Sequence, residues 1–142
     1  MDFEIFPSGS GDCVLVTSSD GRRLLADAGL PEAYDRFIAA PLSKLRAAQQ
    51  KIDLVYVSHI DRDHIGGVLR MFDHEVQWRA HEHSRANGGR LREPKVPRPP
   101  EVLALWHNAF LEDVQRTEAI DLGTALGSSA TMLSGLGAAL PE

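Results

Sequence analysis

Apolar positions along this chain change their spacing several times, and each change marks an element. Asp2 to Phe6 alternates, with Phe3 and Ile5 set against Asp2, Glu4 and Phe6, which predicts a short strand. Pro7 to Asp12 is rich in glycine and serine and reads as a turn, and Cys13 to Thr17 as a second strand. Ser18-Ser19-Asp20-Gly21 makes a hairpin turn, after which Arg22 to Ala26 returns as a third strand. Pro31 to Gln50 turns helical, with Tyr34, Phe37, Ile38, Leu42 and Leu45 at helix-like spacing and Pro41 expected to break or kink it. The run from Ile52 to Ser58 is β-branched and aromatic and predicts a strand buried on both faces. A short helix over Gly66–Phe72 and a strand over Val76–His81 follow. Hairpin strands, a helix and then a buried strand are the order of a layered α/β protein.

After His83 the pattern lapses. Ser84 to Pro100 is rich in proline and in arginine and lysine, and reads as an exposed, irregular loop. From Pro100 helical spacing returns, with Val102, Leu105, Trp106, Ala109, Phe110 and Val114 on one stripe. A second, weaker helix runs from about Ile120 to Leu140, diluted by Gly123, Gly127, Gly135 and Gly137. The expected organisation is therefore a layered unit over 1–83, a loop over 84–100 and a helical hairpin or insertion over 101–142.

Composition narrows the class. At 142 residues the chain is long enough for one domain with a sizeable core. No apolar stretch is long enough to span a bilayer, and Met1 is followed at once by Asp2, so neither a membrane partner nor a secretory signal is expected. A single cysteine, Cys13, excludes a disulfide framework and fits a reducing, cytoplasmic setting. It sits at the start of a strand and reads as a small buried hydrophobe. The net charge of −5 offers nucleic acid no global attraction, although bound cations can supply a local positive field.

The chemistry concentrates in Ser58-His59-Ile60-Asp61-Arg62-Asp63-His64-Ile65-Gly66-Gly67. Two imidazoles and two carboxylates leave the end of a strand within one loop, a donor set suited to Zn²⁺ or a similar divalent ion. The glycines remove bulk where backbone has to pass close by. His81 and His83 flank Glu82 at metal-like spacing and are possible additional ligands; the competing reading is a surface strand end. His107, beside Trp106 on the helical stripe, reads as a packing or capping histidine, and His74 as solvated.

His59-x-Asp61-x-Asp63-His64 resembles the signature His-x-His-x-Asp-His of the metallo-β-lactamase superfamily, with Asp61 in place of the second histidine. That variant resembles the hydrolase domain of bacterial competence-type DNA-uptake channels. Ser8 to Val16, with its Gly-x-Gly-Asp turn, and Arg23 to Gly29, ending in Asp27-x-Gly29, are similar to two further motifs of that branch. The resemblance covers residues 1–83 and implies half of an αββα sandwich. It implies one or two ions, with His59 and Asp61 serving the first, and Asp63 and His64 the second. Asp63 would also orient the attacking water, and Asp27 would fix a ligand imidazole, unless it merely caps the turn at Gly29. Asp61 is a harder donor than histidine, which moves preference from Zn²⁺ towards Mn²⁺ or Mg²⁺, or else it turns away and leaves one ion short of a ligand.

No histidine follows His107, so the later ligands that the resemblance calls for are expected from a C-terminal half or from another protein chain. Two functions stand open. One is a metal-dependent hydrolase acting on phosphodiesters ahead of esters, lactones or peptides. The other is a catalytically incomplete binding or regulatory module that docks a partner.

Overall fold

The computed structural model describes residues 1–108. They are built on a mixed five-stranded sheet in the order β1-β2-β3-β4-β5. β1 (Asp2–Ile5), β2 (Val14–Thr17) and β3 (Arg23–Ala26) are an antiparallel meander. β4 (Leu54–Val57) runs parallel to β3, and β5 (Leu105–His107) parallel to β4. Parallel neighbours need long crossovers, and two helical arms supply them. α1 (Pro31–Ala33), a π-helical stretch (Tyr34–Ile38) and α2 (Ala39–Ala47) link β3 to β4. α3 (Arg62–Ala86) and an irregular return link β4 to β5.

Both arms cover one face of the sheet. Leu15, Leu25 and Val55 stand in register across β2, β3 and β4, and with Val57 they pack under Tyr34, Ile38 and Leu42 from the first arm and Val68 and Met71 from α3. Cys13 belongs to this core, and burial, helped by the charges of Asp27 and Glu4, pushes its thiol up to about 12. The thiol is therefore protonated at neutral pH, in keeping with a packing role.

The opposite face is also apolar. Phe3, Val16, Leu24 and Leu54 form one registered row, and Ile5, Val14, Ala26, Tyr56 and Trp106 the next. Phe3 is 64%, Ile5 77% and Trp106 65% exposed. The alternation of β1 thus points its apolar side away from the helical arms, not into the core.

Three expectations are corrected. The first concerns 66–81: one continuous helix, α3, replaces the short helix and strand. Val68, Met71, His74 and His81 are its buried stripe, so histidines occupy positions where an apolar-only pattern looks for a hydrophobe. The local alternation around Val76 mimics a strand, yet Val76 is exposed.

The second concerns 101–108, which is extended rather than helical. The Val55 N–H donates to Ala104 O at 2.9 Å and the Leu103 N–H to Ile52 O at 3.0 Å, so this segment satisfies the edge that β4 would otherwise leave open. The predicted hairpin beyond Asn108 lies outside the described residues.

The third concerns 84–100. Ser84 to Ala86 complete α3, and the stretch after them is irregular, as expected, but strapped to the helix. Arg98 pairs with Glu82 and Glu75 and lies over the Trp78 ring, the Trp78 indole N–H donates to Val96 O at 3.0 Å, and Pro99 and Pro100 are buried.

Pro41 behaves as its chemistry requires. It sits near the start of α2, directly after the π-helical stretch. Proline lacks the N–H for the bond back to residue 37 and its ring crowds that carbonyl, and the wider π turn is where the helix absorbs this.

Candidate metal centre

The carboxyl ends of β3 and β4 lie side by side, the edge at which ligands gather in open α/β sheets. β3 delivers Asp27 there. Its φ of 54° is left-handed, a conformation aspartate tolerates better than most residues. The turn aims the carboxylate back across the sheet, where Oδ1 accepts the Ser58 N–H at 2.8 Å and Oδ2 accepts the Ser58 hydroxyl at 2.6 Å. β4 delivers Ser58 and His59 directly after Val57.

Asp61 is the N-cap of α3 by backbone geometry, and its carbonyl accepts the His64 and Ile65 N–H groups, but its side chain makes no capping bond. Asp61 is exposed. Asp63 and His64 fall in the first helical turn, where acidic charge also suits the helix dipole.

The start of α3 is fixed by backbone contacts to the neighbouring loops. Ala28 N–H donates to His64 O at 3.1 Å, Gly67 N–H to Gly29 O at 2.8 Å, and Gly29 N–H to Asp12 O at 3.1 Å. A Cβ on Gly67 would lie 1.9 Å from Ala28 O, and one on Gly11, whose φ is +74°, 1.9 Å from Asp63 O. Glycine at these two positions lets three segments close around the loop.

Within this frame His59 and His64 stack, ring centroids 3.6 Å apart and tilted by 39°. His64 Nδ1 is 3.0 Å from Asp27 Oδ2, and Nε2 is 3.9 Å from Asp63 Oδ2. Burial disfavours the His64 imidazolium, but the hydrogen bond and charge of Asp27, with Asp63 and Asp12 behind it, prevail and hold its pKa above the usual histidine value.

The donors are oxygen and imidazole nitrogen, chemistry that suits zinc, manganese or magnesium. Asp63 and His64, whose donor atoms lie 3.9 Å apart, would be the pair to hold such an ion. Among the described residues no three His, Cys, Asp or Glu side chains are arranged so that they could hold one metal ion together. The structure brings Asp63 and His64 together, stacks His59 on His64 and leaves Asp61 exposed.

His81 and His83 are placed elsewhere. They lie on α3, which at about 1.5 Å per residue puts His81 roughly 25 Å along the helix from His64. His81 is buried, its Nδ1 3.0 Å from Leu91 O, and His83 is exposed beside Asn87. His74 is buried as well, with Nε2 3.1 Å from Asp35 Oδ1, and is not solvated. His107, expected on a helix, ends β5 in register with Val57, so it reaches the same sheet edge as Ser58 and His59.

Spacing does not single out two contributors. Ser58 reads in the sequence only as the end of a strand, and Asp12 only as part of a turn. The available signal for Ser58 is its position, directly before a donor histidine at a strand end.

A five-stranded mixed sheet thus carries an Asp/His loop at the carboxyl ends of its parallel strands. The family model for the metallo-beta-lactamase superfamily matches residues 7–127, and the chain belongs to that superfamily. Neither the curated proteins nor the solved structures provide a match. No helix among the described residues is long and apolar enough to cross a membrane.

Proposed function

We propose that this chain is the N-terminal part of a metal-dependent hydrolase that holds one or two divalent ions, Zn²⁺ or alternatively Mn²⁺ or Mg²⁺, at the loop 59–64. The observation that carries this reading is the Asp27–His64 bond, which ties one imidazole nitrogen to a buried carboxylate while the other faces Asp63. Carboxylate-oriented histidines of this kind are the usual support of a metal ligand. His59, Asp61, Asp63 and His64 would hold the group, and His107 is the next donor that the fold brings to the same edge. An ion held there would lower the pKa of a water it binds and polarise the bond under attack. Asp63 would accept a hydrogen bond from that water and so set its line of approach. Asp27 would keep the His64 ring from turning. Phosphodiesters rank first among substrates, on the likeness of the Asp61 variant to the hydrolase domain of competence-type channels.

The apolar face left uncovered among the described residues supports the further proposal that a C-terminal half, in cis or in trans, packs against β1–β5 and supplies further ligands. A second reading, a binding module without turnover, draws on the same open face, where Phe3, Ile5 and Trp106 are exposed.

Metal analysis of the purified chain separates the two. The hydrolase reading expects at least one tightly held equivalent of a divalent ion, lost in Asp63→Ala with the far-UV spectrum unchanged, because Asp63 is half-exposed. Metal content that is zero in the wild type, or equal in both proteins, would overturn it. Phosphodiester, ester or lactone hydrolysis by residues 1–142 alone is expected to be weak. Robust turnover abolished by Asp63→Ala would refute the proposed incompleteness.

A further inference from the structure

The Ser58 hydroxyl sits where three polar groups meet. Its Oγ lies 2.6 Å from Asp27 Oδ2, 2.9 Å from His59 Nδ1 and 3.2 Å from His64 Nδ1. A serine hydroxyl has one hydrogen and two lone pairs, so these contacts cannot all be of one kind. An approach of 2.6 Å between a hydroxyl and a carboxylate oxygen is the length of a charge-assisted O–H···O⁻ bond and is repulsive without the proton. The single hydroxyl hydrogen therefore points at Asp27. The Ser58 N–H occupies the other oxygen of the same carboxylate, which holds the pair in this orientation.

With its hydrogen committed, Oγ offers only lone pairs to the imidazoles. His59 Nδ1 at 2.9 Å must then carry a hydrogen and donate it. His64 Nδ1 faces two acceptors, Ser58 Oγ and Asp27 Oδ2, and must carry a hydrogen too. In a neutral imidazole a hydrogen on one nitrogen leaves a lone pair on the other. We infer that Ser58 is a positioning residue whose hydroxyl, polarised by Asp27, fixes both His59 and His64 in the Nδ1–H tautomer and so leaves both Nε2 atoms as lone-pair donors. One carboxylate thereby sets two rings, His64 directly and His59 through a single hydroxyl.

The purpose of this arrangement rests on the metal reading above, but its geometry does not, and the two can be tested apart. The full chain, metal-free and labelled with ¹⁵N in its imidazoles, is measured by long-range ¹H–¹⁵N correlation over a pH series and read on its alkaline plateau. In the wild type His59 and His64 are expected to show Nδ1 in the hydrogen-bearing range and Nε2 in the lone-pair range. Ser58→Ala is expected to return His59 to the Nε2–H form that free histidine prefers, while His64, still bonded to Asp27, keeps its tautomer. Ser58→Thr restores the hydroxyl and is expected to restore His59.

A wild-type His59 found as Nε2–H overturns the inference without any variant, so a folding defect in Ser58→Ala does not shelter it. So does a His59 tautomer that Ser58→Ala leaves unchanged. In a zinc titration of the same samples, Ser58→Ala is expected to weaken binding by about 10–100-fold and Ser58→Thr to recover it. Wild-type protein with the Nδ1–H tautomers that binds no zinc would sustain the inference about Ser58 and overturn the metal reading.

Discussion

The two faces of the sheet are both apolar, and only one is covered among the described residues. On the covered face Leu15, Leu25 and Val55 are buried under the π-helical stretch, α2 and α3. On the other, the rows led by Phe3 and Ile5 run to Leu54 and Trp106 with their outer members open. Composition alone therefore does not say which face is the core. What separates them is that each parallel connection carries a helical arm to the same side, an outcome of the common hand of βαβ crossovers. The stability of residues 1–108 rests on one face, and the other is apolar surface of the kind that marks an interaction site.

Substitutions on the two faces should differ sharply. Leu25→Ala, on the covered face, is expected to cost about 2–5 kcal/mol, read as a lower denaturant midpoint with an unchanged slope. A loss below about 1 kcal/mol would mean that the covered face is not the core.

The next effect in size probes how α3 is seated over that face. Gly67→Ala should gain helix propensity, yet its Cβ meets Ala28 O at 1.9 Å. A net destabilisation of about 1–3 kcal/mol is expected from overpacking, with the Asp27 and Ser58 amide signals displaced. A stabilised variant would show that the loop yields.

Two buried histidines on α3 sharpen the comparison through pH, because their pKa values move in opposite directions from 6.5. Burial lowers that of His74, with Asp35 opposing too weakly. The folded state then resists protonating it, and stability falls as pH drops below about 6.5. For His64, raised by Asp27 despite burial, the contribution is fully present below the unfolded value and is lost as pH rises through the folded one. Stability should therefore peak near pH 6.5 and decline on either side. Asp27→Asn should flatten the alkaline limb and His74→Leu the acid limb. A limb that persists in its variant belongs to another group.

The smallest effect is expected on the open face, where Phe3→Ser should change stability by no more than about 0.5 kcal/mol and reduce binding of a hydrophobic dye. A loss comparable to Leu25→Ala would show that this face is already buried in solution.

Much of this is legible in the sequence. The strand–turn–strand start, the buried strand near Val55 and the loop from His59 to His64 follow from short-range patterns whose meaning survives tertiary context. The 101–108 segment reads as helix because Val102, Leu105 and Trp106 fit a helical stripe, while the open edge of β4 that recruits them is invisible to periodicity. α3 reads as two shorter elements because its stripe passes through His74 and His81, whose burial depends on Asp35 and on Leu91 O. At the site, donor types and spacing identify the loop. The role of Ser58 needs the fold, since Asp27 is brought to it from 31 residues away.

The backbone bonds joining residues 12, 28, 29, 64 and 67 give the first turn of α3 an unusual standing. Helix starts ordinarily fray, and their amides exchange with solvent long before the core opens. Here the turn that carries Asp63 and His64 is tied to the 28–29 loop, which is itself tied to Asp12, so it cannot unwind without releasing that loop. Its amides should exchange together with those of 27–29, as one cooperative unit. A site mounted in this way keeps its donor positions through local fluctuations and loses them all at once.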